Sequence, residues 1–211
     1  MLDGDATEDA TTIRQVLAGD REAFGRLVAR YARRVHDLAR RILRDPVEAE
    51  DAAQQAFLNA FRALDRFDPR RPFRHWLLRI TTNLCRNRLV ARAHRPTPLG
   101  VGAEDDDRPS LVPAARPAPD PDDRPDAGRV RAALDALPDT YRTAAVLRYV
   151  HGLDLAAIAE VTDTPLATVK THLHRARAVL QRTLAPGDGT AVRLRRPPGP
   201  ETPRRPAGIT P

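Results

Sequence analysis

Apolar residues recur every three or four positions along most of the chain, the period of one buried helical face, and no stretch alternates as a half-buried strand would. From Phe24 the run Leu27, Val28, Tyr31, Val35, Leu38, Ile42 and Leu43 traces one such face, with Asp20 standing where an N-cap belongs. Asp45-Pro46 predicts a stop and a restart: Asp45 can cap the next helix, and Pro46 suits its first position, where no N–H is needed. That helix is expected to bury Val47, Ala53, Phe57, Ala60, Phe61 and Leu64. After the loop Phe67-Asp68-Pro69-Arg70-Arg71, Pro72 opens a third long helix with Phe73, Trp76, Leu77, Ile80, Leu84 and Leu89 on one face. A shorter helix, roughly Ala6 to Ala18, precedes all three.

A second helical group follows. Apolar segments from Val130 to Val150 supply a small core, and Leu155, Ile158 and Ala159 mark a short amphipathic helix capped by Asp154. The turn Thr162-Asp163-Thr164 comes next, with Thr164-Pro165 expected as N-cap and first position of a longer helix that turns Val169, Leu173, Ala176 and Leu180 inward. Its outward residues are Lys170, Thr171, His174, Arg175 and Arg177. The pattern describes a helix-turn-helix, whose second helix fits the DNA major groove; a plain helical hairpin with a solvated basic face is the alternative. Lys170, Thr171, His174 and Arg175 are candidates for base edges, Arg177 and Arg182 for phosphates.

Proline and charge divide the chain at the same places. Residues 94–127 hold 8 of the 20 prolines and residues 185–211 another 7, so neither stretch suits a helical core. Residues 1–93 carry +5, residues 94–127 carry −4, residues 128–184 carry +3 and the tail carries +3. The expected architecture is all-α: two small helical domains, 1–93 and 128–184, joined by a flexible, Pro-rich acidic linker, with a disordered Pro/Arg-rich tail over 185–211. Fully extended, the linker would reach on the order of 110 Å, enough for the domains to grip separate points on one partner.

The net charge of +7 and pI near 10.7 call for a polyanionic partner. Within residues 60–93, 9 arginines face only Asp65 and Asp68, and Phe61, Phe67, Phe73 and Trp76 lie among them. Arginines neutralise phosphates and aromatic faces stack on unpaired bases, so this segment suits single-stranded or opened DNA; Phe73 and Trp76 also keep the spacing of core residues. On the preceding helix, Glu48, Glu50 and Asp51 favour the positive end of the helix dipole and could equally dock a basic protein, with Gln54, Gln55, Leu58 and Asn59 continuing that face.

Catalytic signatures are missing from the sequence: it has no phosphate-binding glycine loop, no H-E-x-x-H and no nucleophile elbow. Cys85, the single cysteine, reads as a buried thiol one position off its helix stripe. His172 and His174 point to different faces, so no metal site and no cofactor is expected. No apolar run could span a bilayer and the N-terminus is acidic, so membrane insertion is not expected and the cytoplasm is the expected location.

Together these parts resemble an extracytoplasmic-function (group IV) sigma factor of bacterial RNA polymerase. The stretch from Arg30 to Arg92, with VEAEDAAQQAFLNAFRALDRFDPRRPFRHWLLRITTNLCRNRL, is similar to that family's domain 2. The stretch from Ala133 to Leu180, with ALPDTYRTAAVLRYVHGLDLAAIAEVTDTPLATVKTHLHRARAVL, is similar to its domain 4. The resemblance implies docking of Glu48, Glu50, Asp51, Gln54, Gln55, Leu58 and Asn59 on core RNA polymerase, at the clamp helices of its largest subunit, and a second contact of the chain with the flap. It implies capture and opening of the promoter −10 element by Phe67, Arg70, Arg71, Arg74, Trp76, Arg79, Asn83, Arg86 and Arg88. It assigns −35 reading to Thr168, Lys170, Thr171, His172, His174, Arg175 and Arg177, and many such relatives are held by an anti-sigma factor. Departures from the pattern are Asp163 where glycine is frequent, Thr162 and Thr164 in place of apolar residues, His172 for arginine, and the stiff loop Asp68–Pro72. A helix-turn-helix regulator that never supports initiation is the alternative function. A nucleic-acid enzyme such as a recombinase would need a nucleophile or carboxylate cluster, and the arginine segment offers only Asp65 and Asp68.

Overall fold

The computed structural model describes residues 3–94 and 127–184, and among these no strand occurs. The predicted linker and tail lie outside the described residues. Helices α1 (Asp3–Leu17), α2 (Phe24–Leu43), α3 (Pro46–Arg62) and α4 (Phe73–Ala93) form the first group. In the second, α5 (Ala127–Asp135), α6 (Asp139–Ala145), α7 (Leu155–Thr162) and α8 (Leu166–Leu184) follow, with a π-helical turn over Val146–Val150 after α6.

Local chemistry sets the boundaries. The Asp20 carboxylate accepts from the Ala23 N–H at 3.1 Å and opens the 3-10 turn that leads into α2. Asp45 accepts from Glu48 N–H at 2.9 Å with Pro46 in the first turn of α3, and Asp154 accepts from Ala157 N–H at 2.7 Å to start α7. Each such cap satisfies an N–H that the helix itself cannot, worth about 1 kcal/mol. Helices α2 and α7 end on residues in the left-handed region, Arg44 (φ 62°) and Asp163 (φ 51°). Thr164 does not cap α8: its hydroxyl donates to the Thr162 carbonyl, and α8 begins at Leu166 with Val169 N–H bonded to the Pro165 carbonyl.

Helices α1–α4 share a core of Phe24, Leu27, Tyr31, Phe57, Phe67, Phe73 and Leu77 with their neighbours. Helix α1 is latched to it by polar groups: Tyr31 Oη donates to the buried Asp9 carboxylate at 2.5 Å, and Arg30 binds Asp9 and Glu8. Val47, expected inside, is 70% exposed, because the core face of α3 is carried by Ala49, Ala52, Ala53 and Ala56 instead.

The two helical groups do not stand apart. Leu38, Ile42, Leu43, Leu78 and Cys85 from the first group belong to one buried cluster with Leu147, Leu153, Ile158, Val161 and Val169 from the second. The N-terminal helix of the helix-turn-helix, α7, rests on α4. Arg142 ties the groups at another point. It is 1% exposed, and its guanidinium donates to the carbonyls of Leu134 (3.1 Å) and Leu137 (2.5 Å) in its own group and of Ile42 (3.1 Å) at the end of α2. Burial, followed by the repulsion of Arg44, lowers its pKa, and the nearby Asp139 carboxylate at 3.0 Å offsets part of that cost. His151 is likewise enclosed at this junction, 3.7 Å from Asp37 of α2. Burial outweighs the attraction of that carboxylate and holds the His151 pKa down at about 4, so the ring is neutral at pH 7 and its Nε2 has no hydrogen-bond partner.

Candidate nucleic-acid interface

Helix α4 is the long arginine helix, and its arginines have different neighbours. Arg88 donates to the Glu48 carbonyl at 2.8 Å and Arg92 pairs with the Glu48 carboxylate at 2.7 Å, so both hold α4 to the start of α3. Arg79 lies 3.6 Å from Asp163, and Arg71 in the loop before α4 pairs with Glu160 at 2.5 Å. Arg70 and Arg86 are exposed, whereas Arg74 is half-buried. Asn83 is half-buried as well, and its Oδ1 is enclosed without a partner.

The aromatic residues resolve in favour of packing. Phe67 is 9% exposed and meets Phe73 and Trp76 at centroid distances of 5.6 and 5.1 Å, with Tyr31 closing the cluster against Phe73 at 5.7 Å. Phe67 therefore packs mainly inside the core and does not stand out as an exposed ring, and Trp76 is half-buried. Arginine-flanked Phe67 follows the short 3-10 turn Leu64–Arg66, which folds it back onto the core. Beside it, the loop and α1 enclose a hollow of about 140 Å³ lined by Asp9, Ile13, Phe67, Pro69, Arg70 and Phe73.

On α3, the acidic residues separate by role. Glu48 is engaged by Arg92 and turned toward α4, while Glu50 lies 3.6 Å from His36 and accepts from Gln54 at 3.2 Å. Asp51 and Gln54 are exposed, Leu58 is 50% exposed, and Gln55 bonds Asn59 at 2.8 Å on the flank. With Val47, these give a mixed apolar and acidic ridge, Val47-Glu50-Asp51-Gln54-Leu58, along the solvent side of the helix.

Helix α8 carries the other basic face. Val169, Leu173, Ala176 and Leu180 are buried as the spacing predicts, and Lys170, Thr171, His174, Arg175 and Arg177 are exposed. Thr168 is half-buried. His172 departs from its expected place: it is half-buried, meets the Tyr141 ring in a tilted contact at 5.3 Å and lines a cavity of about 80 Å³ between the two helical groups. Arg175 donates to Tyr141 Oη at 2.7 Å. The single thiol, Cys85, is fully buried in α4, and that burial pushes its pKa up to about 12, which leaves it unreactive.

Sequence reasoning missed Arg142, His151 and the pairing of Glu160 and Asp163. Arg142 had a faint signal, since it stands three positions before Ala145 on the buried stripe of α6.

Comparison with known proteins fits this arrangement. Sigma-70 region 2 matches residues 27–95, and Sigma-70, region 4 matches residues 127–180. The RNA polymerase sigma-H factor of Pseudomonas aeruginosa is 36% identical over 184 residues, covering 85% of this chain and 95% of that protein. The chain belongs to the extracytoplasmic-function branch of the sigma-70 family. The ECF RNA polymerase sigma factor SigW of Bacillus subtilis is also 36% identical, over 82% of this chain and 94% of its own length. Among solved structures, CnrH in complex with the cytosolic domain of CnrY superposes with a TM-score of 0.60 at 28% identity, covering 84% of this chain and 97% of that one. RpoE of Bartonella quintana, solved with the anti-sigma factor NepR, shares the fold at a TM-score of 0.59 and 19% identity, over 78% of this chain and 98% of that one. As a sigma factor of this branch, the chain directs RNA polymerase to initiate transcription. No described helix is long and apolar enough to cross a membrane.

Proposed function

We propose that the two helical groups divide promoter recognition and polymerase binding between three surfaces. The α3 ridge of Val47, Glu50, Asp51, Gln54 and Leu58 docks core polymerase at the clamp helices of its largest subunit, with the second group reaching the flap. Arg70, Arg71, Arg74, Arg79 and Arg86 take the −10 strand, and the hollow beside Arg70 receives an unstacked base. Lys170, Thr171, His174 and Arg175 read the −35 element in the major groove, with Arg177 on phosphates. Arg88, Arg92 and Glu48 act from behind, fixing α4 on α3. Opening the −10 region then draws on binding energy to single-stranded DNA and needs no cofactor or catalytic step.

The observation that carries this reading is the exposed apolar-acidic ridge on α3, for which a DNA-binding regulator alone has no use. The test is transcription of sheared genomic DNA by purified core polymerase with and without the protein. New discrete transcripts sharing −35 and −10 motifs support it. Binding to DNA without binding to core would transfer the chain to the regulator class.

CnrH was solved with the cytosolic domain of CnrY, and RpoE with the anti-sigma factor NepR. The same kind of control, by an anti-sigma factor acting in the cytoplasm, is proposed for this chain. Pull-down with the protein as bait from its own cells, followed by loss of transcription on adding the captured partner, is the corresponding check.

A further inference from the structure

Among the described residues, Arg175 is the exposed cation of α8 that a side chain of another helix holds. Its Nη1 donates to Tyr141 Oη at 2.7 Å, and its Cζ lies 5.9 Å from the centre of the Tyr141 ring. Tyr141 stands on α6, half-buried, and packs against the cluster of Ala133, Leu134, Ala145, Ala176 and Leu180 that joins α5 and α6 to α8. His172, three positions before Arg175 on α8, meets the same ring at 5.3 Å. The phenol is therefore fixed by its own core and by α8, and it meets the guanidinium with both its oxygen and its ring.

The kind of partner decides what such a contact does. A carboxylate neutralises a guanidinium and competes with DNA for its fork of donors, as Glu48 does at Arg92. A phenol is uncharged and occupies one of five N–H donors, so Arg175 keeps its charge and enough donors for the two acceptors on a guanine edge. Among the described residues no carboxylate pairs with Arg175. Holding a long side chain in place before binding removes part of the ordering cost that recognition otherwise carries. We infer that Tyr141 is a positioning residue for −35 reading, presetting the Arg175 guanidinium on the outer face of α8. A residue of α6, outside the helix-turn-helix itself, then sets specificity at one base pair. This inference rests on the proposed base contact of Arg175.

The test uses holoenzyme assembled from purified core polymerase and the full chain, presented with a randomised duplex DNA library. Core alone gives the background, and the retained DNA is sequenced. Tyr141→Phe keeps the ring and its packing and removes only the oxygen that accepts from Arg175, and thermal unfolding verifies that the fold is kept. Arg175→Ala should flatten the preference at one base pair of the −35 motif. Tyr141→Phe should weaken the preference at that same pair about three- to tenfold, leave the other pairs as in the parent, and add nothing when combined with Arg175→Ala. A merely structural role would instead lower retention of all sequences alike. An unchanged motif in Tyr141→Phe, an even loss over all pairs, or a second flattened pair in the double variant overturns the positioning role while Arg175 stays a base reader. If Arg175→Ala flattens no pair, or no motif is retained above core alone, the −35 reading falls and the role of Tyr141 with it.

Discussion

Helices α4 and α8 are both basic, the first with five arginines and the second with three arginines and Lys170, yet they present them differently. On α8 the basic residues line the solvent side and the apolar residues the inner side, so sequence pattern and availability coincide. On α4 apolar residues are buried on two sides and several arginines are paired: Arg88 and Arg92 are engaged by Glu48, and Arg79 faces Asp163. Charge density alone thus identifies a polyanion-binding segment without saying which of its arginines can reach the polyanion. The basic face of α8 is open to solvent. On α4, Arg86 is exposed while Arg79, Arg88 and Arg92 have carboxylate or carbonyl partners.

The sharpest contrast is between two arginines of the second group, one structural and one functional. Arg142 is enclosed among three carbonyls, and Arg142→Met should cost about 3–5 kcal/mol in chemical denaturation, because those buried acceptors lose the guanidinium that bonds them and Asp139 loses its ion pair. Arg175→Ala should leave stability within about 0.5 kcal/mol, since its bond to Tyr141 is exposed. A small loss at Arg142 would mean that water reaches the junction and that the two groups part easily.

His151 extends the contrast from charge to pH. Its folded pKa of about 4 lies below its ordinary value of 6.5, so the unfolded chain binds the extra proton between those limits. The stability it contributes is complete above pH 6.5 and is lost as pH falls toward 4. Denaturation midpoints measured across that window should decline, and His151→Gln should flatten the part of the decline due to this ring. An unchanged slope in the variant would assign the loss to carboxylates elsewhere. For DNA, Arg175→Ala should lower duplex affinity by about 1–3 kcal/mol and relax preference at one base pair. A uniform loss over all sequences would make it a phosphate contact.

Much of this was legible in the chain. The caps Asp20, Asp45 and Asp154, the inward face of α8 and the burial of Cys85 follow from local chemistry and period, which the fold preserves. Phe67 is more enclosed than its basic neighbours suggest, because a short turn folds the ring inward. Val47 was misplaced because a small alanine face, invisible as a strong apolar stripe, lets α3 approach α2 closely. The junction between the groups could not be read at all. A helical period shows that a face is buried but not what buries it, and on α4 the second stripe, Leu78-Thr82-Cys85-Leu89, is interrupted by the hydroxyl of Thr82.

The smallest expected effect separates strain from charge at the turn of the helix-turn-helix. Asp163→Ala and Asp163→Gly both remove the carboxylate facing Arg79, so any effect of that carboxylate on single-strand binding should be the same in the two. They differ in the backbone. Alanine at φ 51° suffers the steric cost of its Cβ, roughly 1 kcal/mol, whereas glycine adopts that conformation freely but gains chain entropy when unfolded. Asp163→Gly should therefore stay within about 0.5 kcal/mol of the parent, and Asp163→Ala should be less stable by about 1 kcal/mol. Single-strand binding that follows the stability order would tie exposure of α4 to loosening of the whole junction. Equal binding in both, at unequal stability, would tie it to the carboxylate alone.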